Sequence, residues 1–288
     1  MQKTASAVRR RAATSKTGIG KKADDDAAFV TSLARGLSLL RVFTQNNPRL
    51  TFMEVCDRTE LPRTTVHRLL NTLVGLDYLV FDEETRRYFP GPSVTSLGLA
   101  ALNALDIREK VRPFLISLFN RLDETINYSV RDQMEAIVCE RIQGNNRVIA
   151  VDLKVGARIN LYDSSMGRCL IAFLPPEERE RLLAELVLPA SVAGGMVRLR
   201  QSIAAALKDG YTLSDQDFAQ GLLSVAFPVW DSNNRIFAAV NVAVPSFRVS
   251  VKDLDAQIIP SLRDTARRIS LCFGASEEWI DGGWRAIV

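Results

Sequence analysis

Leu61-Pro62-Arg63-Thr64-Thr65-Val66-His67-Arg68-Leu69-Leu70-Asn71-Thr72-Leu73-Val74-Gly75 sets the architecture of the first third of the chain. Val66, Leu69, Leu70, Leu73 and Val74 recur at i, i+3, i+4, i+7 and i+8, which lines one face of an α-helix with apolar side chains. The opposite face carries Arg63, Thr64, Thr65, His67, Arg68 and Asn71. Pro62 suits a first helical position, where a missing N–H costs nothing, and Gly75 suits a helix end. Arginines, hydroxyls and an imidazole on one outward face are the donors that meet phosphates and base edges. A solvated amphipathic helix has the same pattern, so the flanking segments must decide.

Upstream, Thr51-Phe52-Met53-Glu54 has capping-box spacing and predicts a short helix to about Arg58, followed by a turn over Thr59 to Leu61. Further back, Phe29, Leu33, Leu37 and Leu40 recur at helical spacing, widened by Leu39, Val42 and Phe43. They predict a helix that turns this stripe to the core and ends at Asn46-Asn47-Pro48. Downstream, Tyr78 to Phe81 and Arg87 to Phe89 predict two strands around the polar turn Asp82 to Arg86. Three helices followed by a basic hairpin, assigned to residues 29–91, make a winged helix-turn-helix, in which the third helix enters the major groove of double-stranded DNA. Arg86 and Arg87 on the hairpin and Arg35 on the first helix complete the candidate DNA contacts.

Charge supports this reading. Residues 1–98 hold 15 of the 37 Lys/Arg but only 10 of the 33 Asp/Glu, so the basic excess of the 288-residue chain lies in its first third and points to an anionic partner there. Residues 1–28 contain Arg9, Arg10, Arg11, Lys16, Lys21 and Lys22 but little that forms a core. They predict a disordered basic tail, either an arm that touches phosphates or simply a solvated end. No apolar run is long enough for a membrane span and no secretory signal is present, so a cytoplasmic protein without a membrane partner is expected. Four cysteines stand singly in apolar contexts that read as core, and His67 is the only histidine, so neither a metal site nor a cofactor is expected.

Pro90-Gly91-Pro92 marks a domain boundary, after which 92–105 reads as a linker helix, 106–274 as a mixed domain and 275–288 as a C-terminal tail. Helices are expected over 106–123, 164–174, 177–186, 199–208 and 254–271. Strands are expected over 126–131, 136–142 and 148–153, with a turn at Asn145-Asn146, and over 224–230 and 235–244. The fold class is α+β. Ser164-Ser165-Met166-Gly167 opens a helix after the strand-like Ile159 to Tyr162, and the N–H groups of such a start favour a ligand carboxylate. Ordinary capping by Asp163, Ser164 or Ser165 uses the same residues. Arg141 either pairs with a carboxylate or sits on the wet face of a strand. Asn241, inside a very apolar strand, faces either a pocket or a polar partner in the core.

Several motifs occur in one order: Phe29 to Leu37, Leu61 to Leu70, Tyr88 to Pro92, Ser165-Met166-Gly167-Arg168-Cys169-Leu170, Gly210-Tyr211 with Asp215-Gln216-Asp217, Gly221 to Val229, and Ala238 to Val242. Together they resemble the IclR-type regulators over about residues 29–271. Phe29 to Gly36 with Ser165 to Arg168 is similar to the branch that responds to protocatechuate and para-hydroxybenzoate. The resemblance implies a winged-helix domain, a GAF-like effector-binding domain, a homodimer or tetramer, and control of aromatic catabolism. A symmetric dimer implies a palindromic operator. For a small aromatic carboxylate, Leu161, Tyr162, Met166 and Val225 are candidate walls. Ser129, Arg141, Ser164, Ser165, Gly167, Asp217, Ser224 and Asn241 are candidate polar or backbone contacts. An enzyme is the weaker reading, because the second half has no Cys/His or Ser/His pair and no phosphate-cradling loop, and no catalytic residue is assigned. A dimeric DNA-binding protein without an effector is the other alternative.

Overall fold

In the computed structural model, residues 29–44, 47–104, 106–143, 153–190, 192, 194–249, 251 and 254–287 are described, and the chain divides into two units after Ala100. The expected tail 1–28, the turn at 145–146 and all but the last residue of the expected strand 148–153 lie outside the described residues.

In the first unit, α1 (Thr31–Leu40), α2 (Phe52–Thr59) and α3 (Arg63–Gly75) enclose a core of Leu39, Leu50, Val55, Val66, Leu70 and Leu79. The Thr51–Glu54 capping box forms, with Glu54 N–H donating to Thr51 Oγ1 and Thr51 N–H donating to Glu54 Oε2. Pro62 is the residue before α3, one position earlier than expected, and its carbonyl accepts from the Thr65 and Val66 N–H groups. The hairpin of β2 (Leu79–Asp82) and β3 (Arg87–Pro90) gains a two-residue strand, β1 (Leu50–Thr51), in the order β1-β3-β2. Gly91 is required where it sits, because a Cβ there would lie 2.4 Å from the Asp77 carbonyl oxygen.

The expected stripe on α1 is corrected. Leu39 is buried, but Phe29, Leu33 and Leu37 are exposed, Leu33 to 61%. Only the edge carrying Leu39, with Leu40, Val42 and Phe43, packs into this unit's core. α4 (Pro92–Ala104) buries no residue, and Leu97 and Leu99 stand in solvent.

In the second unit, six antiparallel strands run in the order β6-β5-β4-β9-β8-β7. They are β4 (Thr125–Asp132), β5 (Glu135–Ile142), β6 (Arg158–Asn160), β7 (Thr212–Asp215), β8 (Leu222–Trp230) and β9 (Ile236–Pro245). Side chains alternate across the pleat. One face presents Tyr128, Val225, Phe227, Val240 and Val242 to α5 (Arg112–Leu122) and α9 (Ile259–Cys272). The other presents Ala226 and Ala239 to α6 (Ser165–Ala172), behind which lie α7 (Pro176–Glu185) and α8 (Gly195–Asp209). Small residues on that face let α6 approach closely.

Two expected helices start differently. π-helical turns at Ile107–Val111 and Leu254–Ile258 precede α5 and α9, and Pro113 and Pro260 follow them. Each proline lacks the N–H that would continue an i to i−4 ladder, so the widened turn precedes it. The expected C-terminal tail is also corrected: Ser276 caps a short helix, α10 (Glu277–Ile280), and a 3-10 turn carries Trp284 into the core. Trp284 meets Phe173 edge-on at 5.2 Å, and Trp279 meets Trp230 at 5.7 Å. Cys56, Cys139 and Cys169 are buried as expected, whereas Cys272 is exposed.

Candidate functional site

The outward side of α3 is built by the periodicity that builds its core side. Val66 and Leu70 are buried, so Arg63, Thr64, His67, Arg68 and Asn71 all stand exposed, with Thr65 half-buried beside them. Asn71 Nδ2 lies 3.4 Å from His67 Nδ1, and the Phe52 ring meets the His67 ring at 6.3 Å, which steadies the imidazole. Arg63 and Arg68 have no ion-pair partner among the described residues. Uncommitted guanidinium groups on an exposed helix face are available to phosphate or to guanine edges.

The hairpin differs from expectation at one arginine. Arg86, at a left-handed φ of 54°, is exposed with its guanidinium 5.2 Å from the Phe81 ring. Arg87 turns inward, donating to the Arg49 carbonyl at 3.0 Å and to Glu54 Oε2 at 3.3 Å, so it braces the capping box. Arg49, not among the expected residues, lies over the Phe89 ring at 4.1 Å and reaches Asp82 at 3.4 Å. Arg35 is exposed on α1.

Strand register creates the site in the second unit. Arg141 on β5 lies opposite Asn127 on β4, Asn127 opposite Asn241 on β9, and Asn241 opposite Ala226 on β8. The polar members of this row form a directed hydrogen-bond ladder. Arg141 Nη1 donates to Asn127 Oδ1 at 2.8 Å, and Asn127 Nδ2 donates to Asn241 Oδ1 at 2.8 Å. Asn241 Nδ2 then reaches Ser165 Oγ at 3.4 Å, which also accepts from the Ser224 hydroxyl at 2.8 Å. The ladder ends at the first residue of α6. Ser164 caps that helix by accepting from the Gly167 N–H, and the Ser165 and Met166 N–H groups remain without intrahelical partners. The ladder thus runs from the Arg141 guanidinium to the helix start, and both ends, each favouring an electron-rich ligand group, line the same space.

That spot opens on a small cavity of about 60 Å3, lined among others by Asn127, Arg141, Ser165, Met166, Ser224 and Asn241. Ser164 lines it too, and Phe218, Leu222, Ile159 and Leu153 supply apolar wall. Glu124 lines the same cavity and pairs with Arg248, and burial pushes its carboxyl above the usual range despite that partner.

Six expected contacts fall elsewhere. Ser129 is fully buried and donates to the Met166 sulfur. Leu161 is fully buried core, and Val225 faces the opposite side of the sheet. Gly167 has a packing role: a Cβ would lie 2.5 Å from Leu161 Cα and 2.6 Å from the Asn160 carbonyl oxygen. Tyr162 and Asp217 line a different cavity, beside Arg168 and Arg198. Asn127 is not marked in the sequence, because Ser129 shares its short strand Ile126 to Val130, whereas Asn241 is the single polar residue between Ala238 and Val244.

Among the described residues, no His/Cys/Asp/Glu group could hold a metal ion, and no helix is long and apolar enough to cross a membrane. Residues 32–83 match the IclR helix-turn-helix domain, and residues 99–271 match the C-terminal domain of the bacterial transcriptional regulator IclR. The Pca regulon regulatory protein of Pseudomonas putida is 32% identical over 245 residues, covering 84% of each chain. A transcriptional regulator from Rhodococcus sp. RHA1 superposes with a TM-score of 0.69 at 33% identity, covering 85% of this chain and 98% of its own. An IclR homologue from Microbacterium hydrocarbonoxydans, solved with 4-hydroxybenzoate, shares the fold with a TM-score of 0.71 at 24% identity, covering 85% and 100%. The α3 face, the hairpin, the ladder-ended α6 and these matches agree: the chain belongs to the IclR family of bacterial transcriptional regulators.

Proposed function

We propose that this regulator is switched by a small aromatic carboxylic acid bound in the cavity at the start of α6, and that it controls an operon for aromatic catabolism. The carrying observation is the ladder from Arg141 to Ser165, which aims donors at one end of a cavity with apolar sides. The carboxylate sits at the Ser165 and Met166 N–H groups. Glu124 offers an acceptor on the same cavity, which suits a ring that also carries a hydroxyl. The named roles of two relatives support this chemistry: one governs a Pca regulon, and the other was solved with 4-hydroxybenzoate. About 60 Å3 is less than a substituted ring needs, so binding displaces the Phe218 and Leu222 wall. An acid that prefers the displaced arrangement shifts the population of DNA-competent protein by that difference in affinity.

The DNA contacts in this reading are Arg63, Thr64, Thr65, His67, Arg68 and Asn71 in the major groove, with Arg86 on the wing and Arg35 as a further phosphate contact. A homodimer on a palindromic operator uses the exposed apolar stripe of Phe29, Leu33 and Leu37 as self-association surface. Calorimetry with 4-hydroxybenzoate, protocatechuate, benzoate and cyclohexanol tests the effector. Acids binding while the alcohol does not, with one site per chain lost in Ser165→Leu, fits the proposal. No acid binding, or equal binding by Ser165→Leu, contradicts it.

A further inference from the structure

Among the described residues, a second cavity of about 400 Å3 lies between the start of α8 and the segment joining β7 to β8. That volume is within the ~300–1,000 Å3 common for small-molecule sites. Leu188, Pro189, Val192 and Leu199 give it apolar walls. Arg168 and Arg198 give it two guanidinium groups, and both hold the single Asp217 carboxylate, Arg168 Nη1 on Oδ2 and Arg198 Nη2 on Oδ1, each at 2.7 Å.

Asp217 alone holds both guanidinium groups, and its two oxygens leave several of their N–H donors open. The other acid on the cavity, Asp163, has one oxygen buried without a hydrogen-bond partner, and burial pushes its carboxyl above the usual range. Arg168 is only 7% exposed. Its Nε donates to the Tyr162 carbonyl at 2.8 Å, which leaves Nη2 with no partner among the described residues. Arg198 likewise has Nε and Nη1 open, since its one ion pair uses Nη2. The start of α8 adds further open donors. Ser164 caps α6, whereas α8 starts from Gly194 with no side-chain cap and no acidic residue in its first turn. The uncapped end of a 15-residue helix therefore adjoins the same space, where Gly195 forms part of the lining.

We propose that this cavity is a second binding site, for a small organic acid whose carboxylate takes the open donors of Arg168 and Arg198 beside Asp217, and whose carbon skeleton lies on Leu188, Val192 and Leu199. The site is separate from the effector cavity at Ser165. It adjoins that cavity through one peptide unit, because Asp217 precedes Phe218, which lines the other.

The direct test is a crystal of the full chain soaked with 4-bromobenzoate, located by bromine anomalous scattering. A peak against Leu188 and Leu199, with the carboxylate at Arg198, supports the second site whether or not another peak appears beside Ser165. Bromine only beside Ser165, or in neither cavity, overturns it. A peak beside Arg198 alone instead overturns the effector reading, so the two failures are distinct. In solution, benzoate calorimetry on Ser224→Leu, which fills the effector cavity, should retain one site per chain. Adding Arg198→Gln should weaken that site at least about tenfold, the usual loss for a hydrogen bond to a charged group. Unchanged affinity overturns the proposal. Should Ser224→Leu fail to fold, Arg198→Gln alone, a change at a half-exposed side chain, should reduce the benzoate stoichiometry from two to one; an unaltered stoichiometry overturns it.

Discussion

The polar face of α3 and the polar patch beneath α6 are opposites. On α3 the polar groups point out, and Arg63 and Arg68 have no ion-pair partner among the described residues. Under α6 the polar groups point in, and Asn127, Asn241, Ser165 and Ser224 are bonded to one another. An outward face stays ready for a large, highly charged partner at little cost in stability. An inward patch must hold itself together when empty, because a buried donor or acceptor left unmade costs ~1–3 kcal/mol. Mutations should therefore separate stability from function on α3 and entangle them under α6.

The largest effect that sharpens this contrast is expected at Gly167. Gly167→Ala places a Cβ against the Asn160–Leu161 backbone, which has no flexible end to yield. A loss of about 3 kcal/mol in denaturant unfolding is expected, at the upper end for overpacking. A near-neutral result would mean that α6 is not held as tightly to the turn after β6 as its packing indicates. Next is Asn241→Leu, which strands the Asn127 amide: about 2 kcal/mol of stability should go together with effector affinity. If stability falls while acid still binds beside Ser165, the ladder is only structural.

Arg68→Ala should leave the melting temperature unchanged while operator affinity falls about tenfold. If Arg68 meets only phosphate, that loss is even across sequences and the salt slope shrinks by about one. Undiminished operator affinity would remove Arg68 from the reading face.

The smallest effect is in pH dependence, where two glutamates should act with opposite sign. Hydrogen bonds from the Thr51 backbone hold Glu54 below its ordinary value, so its contribution is present near neutrality and lost as pH falls through its folded-state value. Burial raises Glu124, so its contribution is greatest in acid and is lost as pH rises from the unfolded to the raised folded value. Melting curves across about pH 3 to 7 should show a shallower acid loss for Glu54→Gln and a gain near neutrality for Glu124→Gln. The same slope in both variants would contradict the assignment.

The same contrast explains what could be read from residue order. α3 and the hairpin are legible because their signals are local: Val66, Leu69 and Leu70 mark a face within one turn, and Tyr78 to Phe89 alternates around a polar turn. Ser165 and Asn241 stand out as polar residues at a helix start and in an apolar strand. The row that joins them does not, because Asn127 and Asn241 are 114 residues apart and meet only through strand register. β7 escapes periodicity because Thr212 and Ser214, its buried residues, are polar, with Thr212 donating to the Ser165 carbonyl. The C-terminal segment looks like a tail because Trp279 and Trp284 find their aromatic partners, Trp230 and Phe173, far upstream. The misjudged side of α1 has the same origin: Phe29, Leu33 and Leu37 are helical in spacing, but their spacing does not say which partner covers them.

Anisotropy of a labelled upstream duplex, titrated with protein with and without saturating 4-hydroxybenzoate, reads the DNA contact and the acid switch together. The account predicts tighter binding to this duplex than to a random one, an acid-dependent change of about fivefold or more in that affinity, and loss of the acid effect alone in Ser165→Leu. Identical curves with and without acid, or an acid effect that survives in Ser165→Leu, would contradict it.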